Sequence, residues 1–434
     1  MKSISTFQII VTTAFVVFTI IGVGVFAAFG GVTGSTSVGQ VAIWGTQDAV
    51  VMDTVLQNLR SADKSFQDVT YLQLDEATYE KTIINAIAAG RGPDLFFMTQ
   101  ENIGAFVDKV TTIPYSAVSQ STYVNSFIDE SNVFLNNQGS WALPFTIDPL
   151  VMYWNRDLLA GAGVAQAPLY WNDFLTLAQK LTSIDASQNV RRSAVALGAW
   201  GNVSNAKAIL SALFMQAGDP IVGRNSEGGL ASVFGITPPG LQTNPAESAL
   251  RFYTEFANPS KSSYTWNRSL HNSTEAFVAG DLAVYFGFAS EMGTLAKRNP
   301  NLHFSVAVLP QLQGNGPRLT YGRVTGLAIS RAAANAGGAL AIAQKLVSQA
   351  SIQQMVAATG LPAVRRDVAV DTASNAAALV FSQSALISRG WFDPNTEATN
   401  AIFKAMVESV TTGKSDPSQA AVDAAQEFIP LFNQ

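Results

Sequence analysis

Hydrophobic and polar positions change period several times along this chain. VAIW (41–44) is a short β-branched run ending in an aromatic, and the GTQD behind it has turn composition, so a buried strand is predicted there. Residues 49–63 read as a helix, and VTYLQL (69–74) returns to strand character. In DEATYEKTIINAIAAG, Tyr79, Ile83 and Ile87 recur every four residues, with Asp75 placed to cap the helix and Gly90 to end it. GPDLFFM (92–98) supplies a turn and another buried strand. This β-α-β-α-β opening predicts a doubly wound α/β lobe.

The same alternation resumes downstream. NDFLTLAQKL puts Phe174, Leu177, Ala178 and Leu181 on one helical face, with Asn172 as cap. The stretch from Asn272 to Glu275 resembles a capping box, and strands are predicted at AVYF (283–286) and HFSVAVLP (303–310). The C-terminal third reads as helical over 337–358 and 396–412, then in a last helix with Val422, Ala425 and Ile429 on one face. FTIDPLVMYWNRDLL (145–159) is different: an acid, Asp148, interrupts an extended apolar stretch, with Tyr153 and Trp154 on opposite faces further on. Three readings of it stand open: a strand with an incidental acid, a catalytic carboxylate, or the edge of a ligand cleft.

The N-terminus shows no period at all. Residues 7–29 carry no charge and are long enough to cross a hydrocarbon core of ~30 Å as a helix. Lys2 and the amino terminus are the positive charges before it, which leaves the bulk of the chain outside the membrane. The run reads as an uncleaved anchor after a cytoplasmic stretch 1–6. A cleaved signal peptide, with a small-x-small site at Ala28-Phe29-Gly30, is the rival. Residues 30–40 are a flexible Gly/Ser/Thr linker.

Length and composition narrow the function. A chain of 434 residues exceeds what one core usually serves, so two lobes are expected. With a net charge of only −5 and no basic stripe, nucleic acid is not an expected partner. The absence of cysteine removes disulfides and thiolate sites, and two histidines, His271 and His303, leave little for acid–base chemistry. No metal or cofactor is expected. Asp48, Glu101 and Asp148 could supply a glycosidase pair, but no motif ties them together, so a binding protein is expected rather than an enzyme.

Polar and aromatic residues collect at predicted strand ends, where open α/β sheets bind ligands. Trp44 is followed by Thr46, Gln47 and Asp48; Met98 by Thr99 and Glu101; Trp200 by Asn202 and Asn205; and Phe286 closes another strand. Flat half-polar rings with hydrogen-bonding neighbours suit a sugar ring. Core packing and turn composition would produce the same residues, and both readings stay open here.

In block order the chain resembles the family 1 extracellular solute-binding proteins, the maltodextrin-binding-protein-like receptors of ABC importers. The blocks are IWGTQD, YEKTIINAIAAGRGPDLFFM, WALPFTIDPLVMYWNRDLLAGAGV, YWNDFLTLAQKLT, EAFVAGDLAVYF and VAVLPQLQGNGPRLTYGRVTGLAIS, over residues 40–434. The resemblance implies an α/β, two-lobed periplasmic-binding-protein-like fold (type II), each lobe a doubly wound sheet. It places crossings near 144–149 and 310–326 and a last exchange near 350–360. The lobes are then 41–147 plus 308–352, and 148–307 plus 353–434. It further implies a small-molecule solute, a carbohydrate or polyol, in the cleft, hinge closure, delivery to ABC permease subunits and a monomeric receptor. Asp148 matches an acidic position beside the hinge that hydrogen-bonds sugar hydroxyls in the family, and Thr46, Asp48, Thr99 and Glu101 match polar positions after the first and third strands. The chain departs where it has Met98 in place of a common tryptophan and Ser290 near a common stacking aromatic, and Trp391 is the expected substitute. A cationic solute such as a polyamine would want the three acids in the cleft, and an anion would want Arg323.

Overall fold

A computed structural model of the chain describes residues 38–187, 189–226, 228–314, 316–370 and 375–432. The expected anchor over 7–29 lies outside the described residues. Among those described, no helix is long and apolar enough to cross a membrane.

The opening folds as its periodicity predicts. Strands β1 (Val41–Gly45), β2 (Val69–Gln73) and β3 (Leu95–Thr99) are parallel, with β1 in the middle, and the helices Ala49–Ala62 and Tyr79–Ala88 connect them. Tyr79 and Ile83 are the buried face of the second helix, and the Tyr79 hydroxyl donates to Phe97 O at 2.6 Å. Thr78 rather than Asp75 stands at the cap position; Asp75 accepts from the Thr78 amide one turn earlier.

Two long strands then organise the molecule. β4 (Leu143–Asn155) runs antiparallel to β8 (Thr320–Ser330) along its first half, and along its second half to β6 (Leu282–Phe288) and β7 (Phe304–Val308). β5 (Val190–Val195) lies parallel to β6 on the far side. The order β2-β1-β3-β8-β4-β6-β5 is thus one continuous sheet, where the resemblance implied one per lobe. The two crossing strands carry the hydrogen-bond ladder through.

Two cores hang on this sheet. Phe145 and Ile147 of β4 join the first core and Leu150 to Tyr153 the second; Val324 to Ile329 of β8 join the first and Tyr321 the second. Each of these side chains is fully or nearly fully buried, and burial of a large aliphatic contributes ~1.5–3 kcal/mol. The lobes therefore exchange chain at residues 148–149 and 322–323; Leu309, Leu319 and Tyr321 pack in the second core, so the 307/308 boundary implied by the resemblance falls too early. Ile352, Met355, Val364 and Val368 still pack in the first core, whereas Ala377 and Phe381 pack in the second. The last exchange falls past Val368, later than the 352/353 boundary, because the helix Gln349–Thr359 docks on the helix Ala49–Ala62. The stretch 337–358 is two helices, Ala336–Leu346 and Gln349–Thr359, broken where Ser348 caps the second.

The last helix, Pro417–Phe428, buries Ala420, Ala421, Ala424 and Phe428 and leaves Val422 exposed. Its alanine-rich sequence gave an apolar stripe one residue out of phase, and Phe428, packed on Trp391 and Phe403, decides the true face.

Candidate functional site at the lobe junction

Asp148 and Arg323 are direct partners across the β4–β8 pair, at the point where both strands change lobes. Neither can bury its charge in one core, and each is only partly covered. Arg323 Nε donates to Glu101 Oε2 at 3.1 Å, and its guanidinium lies over the Phe288 ring, 4.4 Å from the centroid. Glu101 comes from the first lobe and Phe288 from the second, so this one side chain is held from both sides.

Glu101 is itself braced. Its Oε1 accepts from the Tyr321 hydroxyl at 2.9 Å. The preceding Gln100 is buried, donating to Gly322 O and accepting from Val324 N at 2.9 Å, which seats the end of β3 against β8. On the other side, the Ser290 amide donates to Asp148 Oδ1 at 3.0 Å. Burial pushes the Asp148 carboxyl up to about 6, although the Ser290 hydrogen bonds and the Arg323 charge pull it down. Asp148 is a carboxylate with a foot in each lobe, poised near neutrality.

A neighbouring network fixes the second-lobe wall. Glu291 accepts from Phe288 N at 2.8 Å and from Asn205 Nδ2 at 2.9 Å, and the Tyr285 hydroxyl donates to its other oxygen. Asn205 holds this position at φ +60, a left-handed conformation that asparagine tolerates better than most residues. A third link between lobes runs through Asp393. Its amide donates to Gln100 O at 3.2 Å, its carbonyl accepts from Gly104 N at 3.3 Å, and Lys207 Nζ sits 2.6 Å from its carboxylate.

The structure thus brings Glu101, Asp148 and Arg323 into one cluster, which Asn205 joins through Glu291 and Phe288. Trp44, Thr46 and Gln47 lie at the C-terminal end of β1, beside Thr99 at the end of the adjacent parallel β3, all half-buried. Trp200 is half-buried in the loop between β5 and the helix Ala206–Ala217.

Other candidates are structural. Met98 is fully buried because β3 is covered on both faces, so the side chains from Leu95 to Met98 all enter the core. Phe286 packs on Trp171 and Phe174 at ring separations of 5.2 and 5.8 Å. Trp391 is buried on Phe403 and Phe428 and donates to Ser211 Oγ at 3.0 Å, so it cannot replace a stacking aromatic in the cleft. Asn202 spends its amide inside the second lobe, donating to Asn267 O and Leu270 O and accepting from Trp266 Nε1. Asp48 is the N-cap of the helix Ala49–Ala62, accepting from Val50 N and Val51 N at 2.9 and 3.0 Å. Asp48→Ala is accordingly expected to destabilise the protein by about 1 kcal/mol and Asp48→Ser by much less, as chemical denaturation would show.

Tyr321 and Phe288 escaped the sequence reading. The signal for Tyr321 was available: it stands two residues before Arg323 in a strand and therefore on the same face. Phe288 had no such mark, since its contact with Arg323 spans two lobes.

Comparison with known proteins agrees with this architecture. The chain matches the bacterial extracellular solute-binding protein family over residues 56–352, more than half its length. A cyclo/maltodextrin-binding protein solved with maltotetraose shares the fold at a TM-score of 0.71 and 16% identity, covering 92% of this chain and 97% of its own. A solute-binding protein of an ABC transporter from Thermotoga lettingae, solved with α-D-tagatose, gives 0.68 at 18% identity, covering 91% and 100%. The GacH receptor of Streptomyces glaucescens, solved unliganded and with acarbose, gives 0.66 at 16%, covering 91% and 99%. The two-lobed α/β fold is what these proteins share, and the chain belongs to the bacterial extracellular solute-binding protein family, a family of receptors rather than enzymes.

Proposed function

We propose that this receptor takes a carbohydrate or polyol between its lobes and, on closing, presents it to an ABC importer at the cell surface. One observation carries the reading: Asp148, Arg323 and Glu101 meet where both crossing strands change lobes, so a solute bound there touches both halves at once. A solute that contacts both lobes only when they approach shifts the hinge equilibrium toward the closed form. The carboxylates accept hydrogen bonds from adjacent hydroxyls, the guanidinium fork donates to ring and hydroxyl oxygens, and Trp44 and Trp200 offer apolar faces. Solved structures of the same fold hold maltotetraose and tagatose, which supports the ligand class. Residues 7–29 would tether the receptor to the membrane.

A second reading keeps the receptor and changes the solute. Glu101, Asp148 and Glu76 all lie within the field of Arg323, so acids outnumber cations at the junction and a polyamine has partners there. An anion is disfavoured because Glu101 already engages Arg323. A thermal-shift screen of the full chain against sugars, polyols, polyamines, amino acids and anions separates the cases. Stabilisation by a sugar or polyol is expected; stabilisation by spermidine or putrescine with no response to any sugar would replace the carbohydrate reading.

A further inference from the structure

We propose that a cavity at the far end of the second lobe is a binding site for an α-amino acid with an apolar side chain, its carboxylate received by Arg192 and its ammonium by Asp281. The cavity measures about 620 Å³, within the size range of small-molecule sites. Strands β5 and β6 run parallel, and Phe288 of the junction cluster stands at the C-terminal end of β6. This cavity lies at the other end of the sheet: Val190 and Arg192 belong to the start of β5, and Asp281 immediately precedes β6. At ~3.3 Å per residue, roughly 20 Å of strand separates Asp281 from Phe288. The site is therefore distinct from the cleft.

Val190, Trp266, Leu270, Ala276 and Ala279 supply an apolar wall. Trp266 is only 1% exposed, and Leu270 and Ala276 pack against the second core, which fixes this surface in place. An aliphatic side chain laid on it leaves water without displacing anything from the core.

Five ionisable side chains share the lining: Arg191, Arg192, His271, Glu275 and Asp281. Two of them are engaged elsewhere, Arg191 with Asp185 at 2.6 Å and Glu275 with Arg298. Arg192, His271 and Asp281 have no side-chain partner among the described residues. Ser193 and Leu282 are register partners, and the Ser193 amide donates to Asp281 O at 2.8 Å, so Arg192 and Asp281 are neighbours across the two strands. Opposite charges thus stand side by side at one cavity, and their ends do not pair with each other.

That arrangement selects the class of occupant. A simple anion attracted by Arg192 is opposed by Asp281, and a simple cation attracted by Asp281 is opposed by Arg192. A molecule that carries ammonium and carboxylate on one carbon meets both. The guanidinium fork matches a carboxylate bidentately, and the Asp281 carboxylate accepts from the ammonium. His271 adds a hydrogen-bonding ring on the exposed side. All these groups belong to one lobe, so the occupant has the same contacts with the lobes open or closed and leaves the hinge equilibrium unchanged.

Titration calorimetry of the full chain at pH 7 with L-leucine tests the site without knowledge of the cleft solute, so failure here leaves the receptor reading untouched. N-acetyl-L-leucine keeps only the carboxylate and L-leucinamide only the ammonium. Saturable leucine binding is expected, with each half-charged analogue at least tenfold weaker. Arg192→Gln and Asp281→Asn, both at exposed positions, should each weaken leucine at least tenfold. Ala279→Trp, which fills the cavity from an exposed position, should abolish binding, and Arg323→Met, at the junction, should leave it intact. The proposal is overturned if leucine does not bind, if either analogue binds equally, or if Ala279→Trp binds as the parent does while Arg323→Met does not.

Discussion

Arg323→Met is expected to lower stability by about 2 kcal/mol and to abolish solute binding at the junction. The substitution keeps apolar contact with Phe288 but leaves Glu101 and Asp148 facing the junction without their cation. Breaking a fully buried pair costs 3–5 kcal/mol, and the figure is smaller here because Arg323 and Glu101 are 34% and 26% exposed and water screens them. Arg323→Lys should fall between, since an ammonium keeps the charge but loses the planar fork and the stacking on Phe288. Adding Glu101→Gln to Arg323→Met should recover part of the lost stability and none of the binding. Thermal melts of the four proteins read the first effect, and calorimetry with the best solute from the screen reads the second. Full stability of Arg323→Met would show that the cluster contributes no electrostatic coupling.

Asp148→Asn is expected to move binding and stability in opposite directions. The carboxyl titrates at about 6 in the folded chain against an ordinary 3.8. Between those values the folded protein holds a proton that the unfolded chain has released. The stability tied to this group is therefore complete below about 4 and is lost as pH rises through about 6. Asparagine never ionises and can still accept from the Ser290 amide. The variant should match the parent near pH 4 and exceed it by about 1–2 kcal/mol at pH 7.5, the shift of roughly two units being discounted for partial exposure.

Binding should go the other way. A carboxylate accepts hydrogen bonds from hydroxyls more strongly than an amide, and hydrogen bonds to charged groups contribute ~1.5–3 kcal/mol. Asp148→Asn should then weaken the solute tenfold to a hundredfold at pH 7.5. The parent should lose affinity as pH falls through 6, and the variant should not. Equal affinities at both pH values would remove Asp148 from the site. A charged group kept at a cost to stability is what a binding site, rather than a packing site, produces.

Much of this architecture is legible along the chain. The β-α-β-α-β opening and its two helices follow from local periodicity, and a charge placed inside an apolar strand marks Asp148; the crossing near 144–149 rests on the resemblance in block order. Where every face of an element is covered, that signal disappears. Met98, Phe286 and Trp391 stand at or just beyond strand ends like Trp44 and Trp200, and no local pattern tells a ring facing a cleft from one facing Trp171 or Phe403. Asp48 and Asn202 have the composition of a sugar-binding loop because capping a helix and tying a loop use the same acceptors and donors as binding a hydroxyl.

The sequence by itself determined the α/β class of the fold and marked, in Asp148, a charge set inside an apolar strand. Those depend on properties each residue carries alone: spacing, β-branching, charge. Only the tertiary structure decided that Asp148 faces Arg323 and that Arg323 is shared between Glu101 and Phe288. These pairings join residues from 35 to 222 positions apart, and register across a sheet is set by the packing of two cores, which no short stretch of chain encodes.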